Sequence, residues 1–353
     1  MTVRATNPMA DLYRRLRAVG LTRDSIREII LPDWWDDQVA MNPAGFAEGI
    51  SFISRHLGLD LASLRDPDRP VTFRNLGICK FKKSKDATED QLALARFMAT
   101  RVAQLVHVAT TEPCVPLPST AAQVRSEILG QGHPWVGFAN LIDYCWSLGI
   151  PVIHLSSLLK AKRPDGLAVK VRGRPVIVLC KHDRSTAWPL FILAHELGHV
   201  VLGHIPDDGV LIDENVKTNV VDAEEEAANK FAIELLRGDQ DCRFFTAGRW
   251  PNAAQLAQAA REIGRPRKID PGYFAINYAH TMGKAFWPVA NAALSILEPR
   301  RDALGILRRK MAEHLDWSRL PEDSSEFLMR VSQAEITSDL PVGQRHRREA
   351  GDL

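Results

Sequence analysis

The chain has 353 residues, 45% apolar and 25% charged, enough for two or three domains each with its own core. Its 45 basic and 43 acidic side chains leave a formal charge of +2, so no global field drives it onto nucleic acid or anionic lipid. Five scattered cysteines (Cys79, Cys114, Cys145, Cys180, Cys242) form no C-x-x-C pair, which excludes a thiolate zinc site and fits reduced thiols in a cytoplasmic protein. No signal-peptide core or membrane-length apolar run (~18 residues) is present, so no membrane role is expected.

In chain order, residues 8–66 read as short helices. Leu12, Leu16 and Val19 recur at helical spacing before Gly20, a second helix runs to Pro32, and Phe46, Ile50, Ile53 and Leu57 form a third stripe stopped by Gly58. The pattern is that of a degenerate helix-turn-helix-like region or of a plain helical bundle. Where a recognition helix would stand, the acidic "PDWWDDQ" repels phosphate and counts against direct DNA binding.

The spacing predicts a helix over 88–109, with Thr88 and Gln91 at capping-box separation, and "TTEPCVPLPS" reads as a linker. Two helices follow, in "STAAQVRSEILGQ" and "WVGFANLIDYCWSLG". Strands are predicted at 151–155, 166–171 and 175–180, the last two paired as a hairpin about Gly173. A histidine-rich helix begins near Trp188–Pro189, another covers about 221–236, and the remainder is helical up to a polar tail. The expected organisation is 1–70, helical; 71–117, helix and linker; 118–240, an α+β domain; 241–336, helical; and 337–353, disordered.

The chemistry concentrates in "FILAHELGHVVLGH", residues 191–204. His195 and His199 lie four apart, roughly 40° in azimuth and 6 Å along a helix, so both imidazoles can converge on one cation. Glu196 projects roughly 100° away and is placed to take a proton from an attacking water. Chance writes H-E-x-x-H in roughly one chain of this kind in fifty, so the context must carry weight. Its flanks are apolar, and burying these polar groups without a partner would cost several kcal/mol.

The third ligand is open between two residues. The longer H-E-x-x-H-x-x-G-x-x-H pattern is excluded, because positions 202 and 205 are Leu202 and Ile205. His204 lies about 140° from His199 and reads as a helix-end histidine. In "AEEEAANKFAIELL", Glu225 shares a face with Ala228, Asn229 and Ala232. Asn229 could hydrogen-bond a ligand histidine, and the alternative for Glu225 is an acidic helix start. Tyr273, Tyr278 and His280 are oxyanion-stabilising candidates by type and location only.

These residues resemble the ImmA/IrrE family of metallo-endopeptidases. "FILAHELGHVVLGH", "EEAANKFAIELL" and "LIDYCWSLGIPVIHL" carry the resemblance over about 118–240, and the family's E-x-x-A-N-x-F-A element maps onto Glu225, Ala228, Asn229, Phe231 and Ala232. The resemblance implies an α+β, zincin-like core, with Zn2+ (or Mn2+ or another divalent ion) on His195, His199 and Glu225, Glu196 as the catalytic base, and Asn229 behind a ligand. It also implies a protein substrate, a helix-turn-helix repressor in characterised relatives. Where relatives often continue "LLMP", Arg237 and Gly238 stand here. The competing function is a regulatory or antitoxin-like protein with a structural or sensing metal.

Overall fold

The computed structural model describes residues 7–74, 79–81, 89–155, 164–181, 183–205, 210–212, 223–241, 244–245, 250–300 and 302–334. Thr88 and the tail 337–353 lie outside them.

The N-terminal region is helical. α1 (Pro8–Ala18) buries Met9, Leu12 and Leu16, and α2 (Arg23–Ser25) runs into a π-helical turn over Ile26–Ile30. α3 (Pro43–Leu57) ends at Gly58, whose φ of 66° is left-handed, and α4 (Leu61–Arg65) follows. The acidic 32–38 stretch forms turns and the start of a 3-10 helix (Asp37–Met41). It faces inward at one point: Asp37 accepts hydrogen bonds from Tyr13 Oη (2.7 Å), Arg23 Nη2 (2.8 Å) and Trp35 Nε1 (3.2 Å). Burial pushes the Asp37 carboxyl upward, but these three donors outweigh it and hold the group below its ordinary value.

After β1 (Cys79–Phe81), the long α5 (Glu89–Ala109) buries Leu94, Met98, Val102 and Val106 and packs on the sheet as well as on α3. The helix of the 71–117 stretch is therefore part of the core around the sheet. α6 (Ala121–Gly130) and α7 (Phe138–Ser147) precede β2 (Val152–His154). β3 (Gly166–Val171) and β4 (Arg174–Leu179) form the expected hairpin. Arg172 and Gly173, at φ 48° and 82°, make its two-residue turn, the left-handed pair that matches strand twist.

The sheet has five strands, ordered β1-β5-β3-β4-β2, with β5 at Val210–Ile212. β3 runs antiparallel to both neighbours, whereas β1–β5 and β2–β4 pair in parallel. Two strands thus join the three expected, and the sheet reaches back to residue 79, before the expected domain start at 118. Nearly every residue of β3 and β4 is buried, as strands covered on both faces require. With its separate helical clusters, the architecture is α+β.

α8 (Ala187–Val201) packs on β3 and β4, and α9 (Ala223–Arg237) packs along α8. α10 (Ala253–Gly264), α11 (Pro271–Met282) and α12 (Trp287–Leu297) pack together, and α11 reaches α8. α13 (Ala303–His314) lies on β2 and α7, and α14 (Glu322–Ser332) returns to α5 and the N-terminal region. No helix among the described residues is long and apolar enough to cross a membrane.

Candidate metal centre

The helix that carries His195 and His199 is buried almost all round. Leu190, Leu193, Ala194 and Leu197 are inaccessible, and the polar residues enter with them: His195 is 5% exposed, Glu196 1% and His199 0%. Its N-terminus is fastened by Glu298, which accepts from Thr186 N at 2.9 Å and from Thr186 Oγ1 at 3.0 Å, an anion where the helix dipole favours one.

α9 approaches this helix antiparallel, with His199 opposite Glu225 and His195 opposite Asn229. Gly198 permits the approach: a Cβ there would lie 3.2 Å from Ala228 O and 3.2 Å from the Phe231 ring. Ala228 and Ala232, both inaccessible, keep the facing side thin. At its far end α9 is held by Arg125, which donates to Leu235 O at 2.9 Å, and it stops at left-handed Gly238. Arg237 is nearly buried there and donates to Gln240 O (2.7 Å) and Asn277 Oδ1 (3.3 Å), so the departure from "LLMP" ties α9 to α11.

Three side chains meet between the helices. His195 Nε2 lies 3.1 Å from His199 Nε2 and 3.4 Å from Glu225 Oε2, and His199 Nε2 lies 3.2 Å from Glu225 Oε1. A tetrahedral cation with ligand distances near 2.0–2.1 Å has ligand–ligand edges of roughly 3.3–3.4 Å, which these separations approach. Protonation alone does not account for the triangle. One proton leaves one edge as acceptor against acceptor, and a proton on each imidazole sets two N–H groups against one another across 3.1 Å. A cation satisfies all three edges, so the donor set fits a divalent ion on His195, His199 and Glu225.

The far ring nitrogens are also engaged. His195 Nδ1 is 3.1 Å from Asn229 Oδ1, which accepts its proton, and His199 Nδ1 is 2.9 Å from His204 Nδ1. The first contact favours the His195 tautomer that leaves Nε2 with its lone pair toward Glu225, and the second is compatible with the same tautomer of His199 when His204 Nδ1 accepts. His204 thus follows the end of α8, as a helix-end histidine should, and also touches a ligand candidate, a role that angular reasoning missed. The chain bends back after α8, with His204 N donating to His199 O at 3.0 Å, and this carries the ring to the far edge of its neighbour.

Glu196 faces the start of β3. A Cβ on Gly166 would fall 2.8 Å from Glu196 Oε1 and 2.6 Å from Ile192 Cγ2, so only glycine lets strand and helix meet here. Glu224 and Glu226 are outside the triangle, and Glu226 pairs with Lys230. Of the oxyanion candidates, Tyr273 is buried and stacks on Phe191, one turn before His195. Tyr278 packs edge-on against Phe286, and His280 is exposed.

A family model for the Peptidase M78, IrrE N-terminal-like domain matches residues 145–264, which run from α7 through α8 and α9 to the end of α10. Comparison with curated proteins and with solved structures gives no match. The match contains the whole His195–His199–Glu225 triangle as well as Glu196, Asn229 and His204. Through this segment, about a third of the chain, the protein is similar to the IrrE N-terminal-like domain of the Peptidase M78 family.

Proposed function

We propose that the protein is a zinc-type metallo-endopeptidase that hydrolyses a peptide bond in a specific protein, a helix-turn-helix repressor by family analogy, as part of a stress, phage or mobile-element switch in the cytoplasm. The observation that carries the chemistry is the triangle of buried His195 and His199 with half-buried Glu225, and Glu196 on the helix of the histidines. The family match supports the metallopeptidase character, and the zincin-like description rests on the histidine-bearing helix lying against a sheet whose β3 runs opposite to its neighbours. Mn2+ or another divalent ion would suit the same ligands.

When bound, the ion supplies Lewis acidity toward a peptide carbonyl and toward water. The remaining work falls to side chains of this chain. His195, His199 and Glu225 hold the ion, and Asn229 and His204 keep the two imidazoles in the required tautomer. Glu196 removes the proton of the attacking water and returns it to the departing amine, the task of a general base that then acts as acid. A purely structural metal has no use for that carboxylate, which lies beside Gly166 on the helix of the two histidines, and this favours the catalytic reading. The N-terminal helices serve protein contact in this scheme, because the 32–38 stretch exposes Asp33 and Asp36, which repel phosphate.

The test compares the proteins cut in cells by the wild type and by Glu196→Gln, identified by mass spectrometry of new termini. One or a few cuts are expected in a DNA-binding partner, absent with Glu196→Gln, and purified enzyme should leave casein largely intact. Identical termini from both proteins would end the peptidase reading; broad degradation would end only the idea of a single target.

A further inference from the structure

We propose that Trp188, Phe191 and Trp287 form a wall that receives a large apolar side chain of the protein substrate, roughly two or three residues from the bond that is cut. The inference rests on the peptidase reading and adds the class of residue that the substrate must present.

Trp188, Phe191 and His195 fall on one stripe of α8, at i, i+3 and i+7. The Phe191 ring centroid lies 6.4 Å from that of His195 and 5.8 Å from that of Trp188, so aromatic surface is continuous with the metal site. Trp287, from α12, meets Trp188 edge-on at 6.0 Å and extends the surface. All three are half-buried, although they lie beside fully covered core.

Phe191 and Trp188 are held in place, and the indole N–H of Trp188 is used. Phe191 stacks on buried Tyr273, nearly parallel at 9°. Trp188 Nε1 donates to Asp165 Oδ2 at 3.4 Å, and Lys181 Nζ lies 4.6 Å from the Trp188 ring centre. Lys181 also pairs with Asp165 at 3.3 Å, so the rim carries one charge of each sign and selects for apolar size more than for charge. Asp165 precedes Gly166, the residue against which Glu196 lies, so strand β3 connects the wall to the proposed base.

Distance sets the position. Two helical turns from Trp188 to His195 span roughly 10 Å, and an extended peptide advances roughly 3.3 Å per residue. A substrate running along α8 therefore places its second or third side chain from the cut on the wall. Trp188 and Phe191 lie inside the 145–264 family match, and Trp287 lies outside it.

The experiment uses full-length, zinc-loaded protein and tri-alanine hydroxamates that extend from either side of the chelating group, with phenylalanine placed at each position in turn and binding measured by calorimetry. Phenylalanine at the second or third position should bind on the order of tenfold tighter than alanine. Trp287→Ala should reduce that ratio below about twofold and leave acetohydroxamate affinity unchanged. Trp287→Leu, which keeps an apolar cover over Trp188, guards against misfolding and should lower the ratio about threefold. Failure of acetohydroxamate to bind the wild type would remove the metal-centre reading and this one with it. Normal acetohydroxamate binding with no gain from phenylalanine, or a gain that survives both Trp287 variants, would overturn the wall alone.

Discussion

Around Asp37, donors converge on one acceptor: a phenol, a guanidinium and an indole all point protons at a single carboxylate. Between α8 and α9 the reverse holds, with two imidazole nitrogens and a carboxylate, each able to act as acceptor, turned toward one another. The first cluster is complete within the chain and ties α1, α2 and the 32–38 stretch into one unit. The second is the kind of donor set that a cation would complete. Both bring polar side chains together, the first around a half-buried carboxylate and the second around two buried imidazoles, so clustering of polar groups does not separate a structural knot from a reactive site; the balance of donors and acceptors does.

The largest expected effect comes from breaking the second cluster. Wild-type protein purified without chelator should carry about one divalent ion per chain by elemental analysis, and His195→Ala and His199→Ala should each abolish it. Glu225→Gln should weaken metal affinity on the order of 10–100-fold or more; Asn229→Ala and His204→Ala, which remove only orienting contacts, should each cost on the order of tenfold. A metal-free wild type that still cleaves would sink the scheme. A loss in His204→Ala exceeding that in Glu225→Gln would move the third ligand onto the α8 side.

Gly166→Ala sharpens the contrast between holding the ion and using it. The added methyl group meets Ile192 and Glu196, not the triangle. Cleavage should fall on the order of tenfold or more while metal content stays at the wild-type level. Equal loss of both would mean that β3 supports the ligands and not the base.

These features were unequally legible in the sequence. The four-residue spacing of His195 and His199, and the small residues on the Glu225 face, are local helical periodicities, and local geometry read them well. The β3–β4 hairpin was visible because its turn needs Gly173 between two apolar runs. β1 and β5 were not, since three-residue strands carry no alternation and their pairing, Cys79 with Val210, joins distant parts of the chain. The contact of His204 with His199 depends on the bend after α8, and the meeting of Trp188 with Trp287 on packing across nearly 100 residues. Asp37 read as part of a phosphate-repelling surface because composition gives charge without direction.

The first cluster should break more gently. Asp37→Asn keeps an acceptor but loses the charge, and should cost about 1–2 kcal/mol in denaturant unfolding with metal content unchanged. Because the folded pKa of Asp37 is depressed, its contribution is present above the unfolded value near 3.9 and is lost as pH falls through the folded value. The difference between wild type and Asp37→Asn should therefore shrink in strong acid. Loss of metal in Asp37→Asn would show that the two regions do not act independently.

The smallest effect at neutral pH is expected at His56, a third kind of buried polar group. Its ring is 1% exposed, stacked against Phe327 at 4.1 Å and near-parallel to Phe52 at 6.5 Å, with neither nitrogen hydrogen-bonded. Burial, reinforced by Arg101, Arg55 and Arg330, pushes its pKa down to about 3, so the folded protein holds it neutral. The unfolded chain binds a proton there near pH 6.5 and the folded chain does not. Stability from this group is thus fully present above about 6.5 and declines as pH falls toward 3. At pH 5 the decline amounts to about 1–2 kcal/mol. His56→Phe fills the same aromatic slot without a titratable group. It should change stability by less than about 1 kcal/mol at pH 7.5, because both unsatisfied nitrogens disappear together. Between pH 7.5 and 5 the variant should lose about 1–2 kcal/mol less than the wild type. Parallel pH profiles for the two proteins would mean that His56 takes up its proton in the folded state, and that α3 and α14 open to admit it.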